Sequence, residues 1–339
     1  MFSVKPDPVP DGALDDAPAV VHNLAFVTSS VTAGDFGGVA EADQKCQAAA
    51  QAALLPENTY VAWISDTTVN AIDRLGTARG WTRTDGQPVA DRVSTLAAEG
   101  PLVPLLLTED GANVLASPQQ NVWTGTDGVG AKHPMRCGDW TDPKTSGVFG
   151  TINRGAAGFT AANALSCTSS FRLYCFGIDH TEPLELPVLE DSAFVFFVSD
   201  GLWSPGNRTV ADTLCTDEAA AAGLTGRYRA ALTPNGKTLA DVLPTSKVYT
   251  RSDGLTLGTV LNGATANTFP LLTAKQTLPA DFRVWTGGIS QGTPEATCGD
   301  WSASGSGLEG LASDVGPSMF VAFTVDCTVS ARVYCARFE

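Results

Sequence analysis

Asp139 and Asp300 each stand third in the tetrapeptide CGDW, once at Cys137–Trp140 and again at Cys298–Trp301. A carboxylate two residues from a thiol, present twice, suits acid–base chemistry, metal binding or a copied piece of scaffold. Acid–base work needs a partner acid at a workable separation and a perturbed pKa. Zinc ligands usually come in pairs two to four residues apart. The chain has no such cysteine pair, and its three histidines, His22, His133 and His180, stand far from one another. Neither a metal nor any other cofactor is expected.

Two other patterns could carry chemistry. Gly288-Ile289-Ser290-Gln291-Gly292 matches G-x-S-x-G. That motif works as a strand-to-helix turn with a histidine later in the chain. Here Thr293-Pro294 follows, and no histidine stands beyond His180. WTRTDG (Trp81–Gly86) and YTRSDG (Tyr249–Gly254) place Arg83 beside Asp85 and Arg251 beside Asp253. A duplicated ligand contact is one reading. An Asp-Gly hairpin turn is the simpler one, because glycine readily takes the positive φ that such turns need.

The elements that would position these residues are also duplicated. Cysteines 46, 137, 167 and 175 have gaps of 91, 30 and 8; cysteines 215, 298, 327 and 335 have gaps of 83, 29 and 8. VWTGT (Val122–Thr126) recurs as VWTGG (Val284–Gly288), and SCTSSFRLYC (Ser166–Cys175) as DCTVSARVYC (Asp326–Cys335). A tandem repeat follows. An even cysteine count in matched sets reads as disulfides and an oxidising compartment. Two separate sets of four leave three pairings open in each. Val39, Ala42, Cys46, Ala49 and Ala53 keep the spacing of a helix buried on one face, as do Ala211, Cys215, Ala219 and Ala222. FRLYCF and ARVYCA alternate as strands do. A bond from helix cysteine to last strand would tie the two ends of each repeat together.

A helix cysteine, a distant cysteine and then C-x₇-C resembles the C-type-lectin-like fold. The first repeat is similar to the endostatin domain of basement-membrane collagens and to endostatin-like surface lipoproteins of bacteria. The resemblance rests on FVTSSVTAGDFGGVAEADQKCQAAAQAALLPENTYVAWISD (Phe26–Asp66), VWTGTDGVG with CGDWT, and SCTSSFRLYCF. It implies an α+β fold of two tandem C-type-lectin-like (endostatin-like) domains, each with two disulfides. It implies first-to-fourth and second-to-third bridges: Cys46–Cys175, Cys137–Cys167, Cys215–Cys335 and Cys298–Cys327. It also implies adhesion to host or matrix proteins. The zinc histidines and arginine clusters of endostatin have no counterparts here. The calcium-binding carboxylate of sugar-binding lectins, three residues before the third cysteine, is replaced by Ala164 and Thr324. Calcium prefers six to eight oxygen ligands including charged ones, so lectin-type calcium binding is not expected.

Composition narrows the partners. The net charge is −15, and 21 lysines and arginines are scattered without a run. Phosphate-tracking surfaces need clustered cations, so nucleic acid is not an expected partner. The same holds for sulfated polysaccharide and anionic membranes. No stretch reaches the ~18–20 apolar residues of a membrane span. Residues 1–22, rich in Pro and Asp, read as an extended tether without the apolar core of a signal peptide. An export signal or anchor is expected upstream. Residues 23–178 and 193–339 read as the two domains, with 179–192 as a Pro- and acid-rich linker.

Recognition residues are sought in the loops before the second cysteine of each repeat. These are DGVGAKHPM (127–135) and GISQGTPEAT (288–297), which are rich in Gly and Pro and differ between copies. Asp127, Lys132 and His133 in the first, and Ser290, Gln291 and Glu295 in the second, are the candidate contacts. Arg83, Asp85, Arg251, Asp253, Asp139 and Asp300 are secondary candidates. Trp123 and Trp285 read as core residues, with sugar stacking as the alternative. The expected function is a non-catalytic, secreted or cell-surface adhesin-type protein binding a protein or glycan. A structural subunit or spacer of a surface appendage and a calcium-independent lectin are the alternatives.

Overall fold

The computed structural model of the chain describes residues 22–56, 59–244, 246–258, 271–289 and 292–339. Ser290, Gln291 and nearly all of the expected N-terminal tether lie outside them. The architecture is mixed α+β, dominated by short strands, with two long helices and four disulfides.

In the first repeat, five strands lie in the order Tyr60–Ala62, Tyr174–Gly177, Asn23–Val27, Arg79–Arg83, Pro88–Arg92. Asn23–Val27 runs antiparallel to Tyr174–Gly177 and parallel to Arg79–Arg83. A second sheet holds Asn121–Trp123, Ser146–Thr151 and Asn163–Ser166. The second repeat follows the same plan. Phe194–Val198 pairs antiparallel with Arg332–Arg337 and parallel with Tyr249–Thr250. Arg283–Trp285, Ser306–Leu311 and Phe323–Asp326 continue from Arg332–Arg337.

Each long helix packs a stripe of small residues on its repeat. Val39–Ala52 buries Ala42, Cys46 and Ala50; Arg208–Ala221 buries Ala211, Cys215 and Ala219. Alanine and cysteine at every fourth place let the helix axis approach the strands closely. Asn207 caps the second helix, its Oδ1 accepting the Thr209 N–H at 2.9 Å. Both helices also turn polar side chains onto the neighbouring edge strand. Asp43 Oδ1 accepts the Ala62 N–H at 2.9 Å and Gln47 Oε1 the Tyr60 N–H at 3.0 Å. Asp212 Oδ1 accepts the Ala230 N–H at 2.8 Å.

Cys46–Cys175 and Cys215–Cys335 fasten each helix to its last central strand, and Cys137–Cys167 and Cys298–Cys327 fasten the loop region. Described cysteines include no free thiol. Such bridges persist in oxidising compartments rather than in the cytosol. Gly147 and Gly307 make room for the loop disulfides. A Cβ at either would stand 2.6 or 2.7 Å from the sulfur of Cys137 or Cys298. Among the described residues, no helix is long and apolar enough to cross a membrane.

Trp123 and Trp285 are fully buried, so neither presents a ring for sugar stacking. The segment 179–192 is stitched to both repeats. The His180 carbonyl accepts the Arg79 N–H at 3.2 Å, Asp91 Oδ1 accepts the Leu184 N–H at 2.8 Å, and the Asp191 carbonyl accepts the Thr225 hydroxyl at 2.5 Å.

Candidate ligand-binding loops

The CGDW segments adopt a backbone that their composition does not suggest. Cys137, Gly138, Asp139 and Trp140 have φ of 55°, 57°, 55° and 67°; Cys298, Gly299, Asp300 and Trp301 have 53°, 61°, 62° and 66°. Each is a left-handed helical turn, closed by Thr141 N–H to Cys137 O at 3.0 Å or Ser302 N–H to Cys298 O at 3.1 Å. Left-handed backbone costs about 1–2 kcal/mol for each non-glycine residue, and runs of it are not routine. The surroundings hold both turns in place through three anchors. The cysteine is bridged, the tryptophan is buried, and the aspartate reaches the loop after the edge strand.

Those anchors are the same in each copy. Trp140 donates its indole N–H to Ser65 O at 2.9 Å, and Trp301 donates to Thr233 O at 2.9 Å. Asp139 Oδ1 accepts the Thr67 N–H at 3.0 Å, and Asp300 Oδ1 accepts the Asn235 N–H at 2.9 Å. Thr67 and Asn235 occupy matching places, seven residues after Tyr60 and Tyr228.

What surrounds the anchors differs. In the first repeat, Arg136 Nε lies 3.1 Å from Asp139 Oδ1, and its Nη2 donates to the Thr67 hydroxyl at 3.1 Å. Lys132 Nζ donates to Thr67 O at 2.7 Å, and its backbone N–H to Asn70 Oδ1 at 3.0 Å. Asp66 folds its own loop, with Oδ1 accepting the Thr68 and Val69 N–H groups at 2.7 and 2.9 Å. Partial burial raises the Asp139 carboxyl, but hydrogen bonds from Thr67 and Arg136 and the arginine charge outweigh it, leaving it below its ordinary value. Asp66 follows the same pattern: burial raises it, and the Thr68 and Val69 hydrogen bonds carry it below. Both remain ionised, so neither is a proton donor near neutral pH.

Lys132 is thus brought beside Thr67 and Asn70, and the His133 carbonyl accepts from the Arg136 guanidinium. Asp127 is occupied within its turn, Oδ1 accepting the Val129 and Ala131 N–H groups at 3.0 and 2.9 Å. His133 is half-buried, its Nδ1 accepting the Met135 N–H at 3.2 Å. Lys132 and the apolar Val129 and Met135 are exposed. In the second repeat Thr297 stands where Arg136 does, its hydroxyl accepting the Asp300 N–H at 3.2 Å. Glu295 is exposed, and its carbonyl accepts the Ser306 hydroxyl at 2.9 Å. After Gly292 the chain forms a turn through Pro294–Ala296 and not the helix that a nucleophile elbow requires.

Arg83 and Arg251 turn inward. Each grips the carboxylate two residues on: Arg83 holds Asp85 at 2.9 and 2.7 Å, and Arg251 holds Asp253 at 2.8 and 2.5 Å. Arg83 also donates to Pro104 O at 2.8 Å, and Arg251 to Leu102 O at 3.2 Å. Gly86 and Gly254, both at positive φ, close the hairpins by donating to the arginine carbonyls. Each buried arginine, paired with a more exposed aspartate, braces its turn.

Two open grooves lie between long helix and edge strand. One, of about 380 Å³, is flanked by Gln47, Leu55 and Tyr60; the other, of about 430 Å³, by Asp212, Arg229 and Phe338. Neither touches Asp139 or Asp300. Among the described residues, no group of three or more His, Cys, Asp or Glu side chains could hold a metal ion.

Sequence reading passes over Thr67, Asn70 and Arg136. Arg136 has a visible signal, since it directly precedes the tetrapeptide in one copy only. Thr67 and Asn70 reach the site across more than sixty residues, and only the shared strand-to-loop context of the two repeats hints at them. No protein-family model matches the chain, and no curated protein matches it either.

Proposed function

We propose that the chain is a non-catalytic recognition protein of the cell surface or extracellular space. On this reading it is built from two C-type-lectin-like, endostatin-like repeats, and 127–135 and 288–297 are its ligand loops. The ligand is a protein or glycan of a cell surface or matrix, bound without calcium. One observation carries the proposal: an identical brace of disulfide, indole and carboxylate supports loops whose side chains differ. Retained bracing with divergent tips is the pattern expected of a scaffold that varies its contacts. The absence of clustered cations argues for a neutral or mixed-charge ligand over a polyanion.

The test is a glycan and matrix-protein array probed with the full chain, with and without calcium. Binding that persists in chelator and falls on Lys132→Ala supports the reading. Strictly calcium-dependent binding overturns its chemistry. Silence on the array together with self-assembly into filaments would favour a structural subunit.

A further inference from the structure

The two repeats touch where Arg251 donates across to Leu102 O at 3.2 Å, and also through a pair of matching loops. Residues 152–155 follow the strand Ser146–Thr151, and residues 312–315 follow Ser306–Leu311 at the same position of the second copy. Both begin with the same turn: Arg154 N–H donates to Thr151 O at 3.3 Å, and Asp314 N–H to Leu311 O at 3.1 Å. Across the contact, Gly155 N–H donates to Ser313 O at 2.9 Å, and Val315 N–H donates to Asn153 O at 3.0 Å. Exchanging the repeats turns one of these hydrogen bonds into the other. Arg154 and Asp314, which are equivalent, face each other in an antiparallel bridge, with Nε and Oδ2 3.7 Å apart. That is the signature of a two-fold axis passing between them.

We infer that the repeats pair as a fused two-fold dimer, and that Arg154 and Asp314 make unlike repeats accept each other while like repeats reject. On a two-fold axis a residue meets its own counterpart. Two first repeats from separate chains would set Arg154 against Arg154, and two second repeats would set Asp314 against Asp314. The Asp314 side chain is 4% exposed and Arg154 is 43% exposed, so the second clash would fall in a desolvated place. One pair of opposite charges therefore both attracts the right partner and repels the wrong one. The linker 179–192, held on both repeats, raises the effective concentration of the partner in the same chain. The two loop regions are thereby displayed in one fixed relation. That last consequence matters for binding only if the recognition reading holds; the pairing does not depend on it.

The experiment uses the full chain and its variants R154D, D314R and R154D/D314R. Small-angle scattering and sedimentation report compactness and stoichiometry. A glutamate-specific protease reports linker opening at the exposed Glu182, Glu185 and Glu190. The parent is expected to be a compact monomer whose scattering fits the paired repeats. Each single reversal should raise the radius of gyration and speed linker cleavage by roughly tenfold, since cleavage follows the open population. The double variant should return to parent behaviour. Should D314R lose its near-ultraviolet dichroism, R154D, altered at a half-exposed position, carries the test. An extended parent, single variants as compact as the parent, or a double variant no better than the singles would each overturn the inference. Loss of array binding with pairing intact counts against the recognition reading alone. Loss of pairing with binding intact counts against this one alone.

Discussion

The carboxylate of Asp139 accepts the backbone N–H of Thr67 at 3.0 Å and so ties a left-handed turn to the tip of a loop 72 residues away. Asp300 does the same to Asn235, but without an arginine beside it. Asp139→Ala should cost about 1–2 kcal/mol, the value of a charged hydrogen bond reduced for partial exposure. Asp300→Ala should cost about 1 kcal/mol. Hydrogen exchange should show the Thr67 and Asn235 amides losing protection in their respective variants. Because the folded Asp139 carboxyl sits below its ordinary value, its contribution is complete above the unfolded pKa. It fades as pH falls through the folded value, and the difference between parent and D139A should shrink in that window.

Gly138 and Gly299 are the residues in each left-handed turn with no steric objection to it. Gly138→Ala and Gly299→Ala should each cost about 1–2 kcal/mol in backbone energy. Gly138→Ala should be the worse of the two. Its new Cβ would meet the Asp142 Cβ at 2.8 Å, whereas at Gly299 the nearest atom is the rotatable Ser304 hydroxyl at 2.8 Å. Calorimetry of the full chain should show a larger fall in the first-repeat transition for G138A than in the second for G299A.

Glu309 is fully buried in the strand Ser306–Leu311, paired with Arg283 at 2.5 Å. One of its carboxylate oxygens has no hydrogen-bond partner among the described residues. Burial raises its pKa, and the Arg283 contact offsets this only in part. A carboxyl raised on folding favours the folded state when protonated, so its penalty grows as pH rises from the unfolded to the folded value. Compared with Glu309→Gln, the parent should therefore gain stability as pH falls through that interval. Urea midpoints of the two proteins between pH 4 and pH 7, compared pairwise, measure this; a parallel pair of curves would contradict it.

Lys132 and His133 lie at the edge of the braced loop and carry little of the fold. Lys132→Ala with His133→Ala should leave the melting temperature within a few degrees, since surface changes usually stay within about 0.5 kcal/mol. Binding to whichever probe the array retains should fall on the order of tenfold if these are central contacts. Glu295→Ala is the matching test in the second repeat.

How much of this was legible beforehand depends on the range of the interaction. The helix stripes through Cys46 and Cys215 and the Asp-Gly hairpins at Asp85 and Asp253 follow from local spacing. The cysteine intervals announced two matched sets, and each set closes within its own repeat. The left-handed course of CGDW was not legible, because three of its four residues disfavour it and the compensating contacts come from distant segments. Ser65 and Thr67 in one copy, and Thr233 and Asn235 in the other, supply them. Arg83 and Arg251 read as surface residues of a turn, yet burial reverses their role. Glu309 gave no signal at all, since it stands where the first repeat has Phe149 and an alternating strand looks the same with either.

Asp43, Gln47 and Asp212 have a wider consequence. Edge strands offer unpaired N–H groups as templates on which another chain can add a strand. By turning helix side chains onto Tyr60, Ala62 and Ala230, each repeat occupies donors that would otherwise invite a neighbour. A second chain approaching along Tyr60–Ala62 or Tyr228–Ala230 would find these donors already taken, so those two margins resist strand addition.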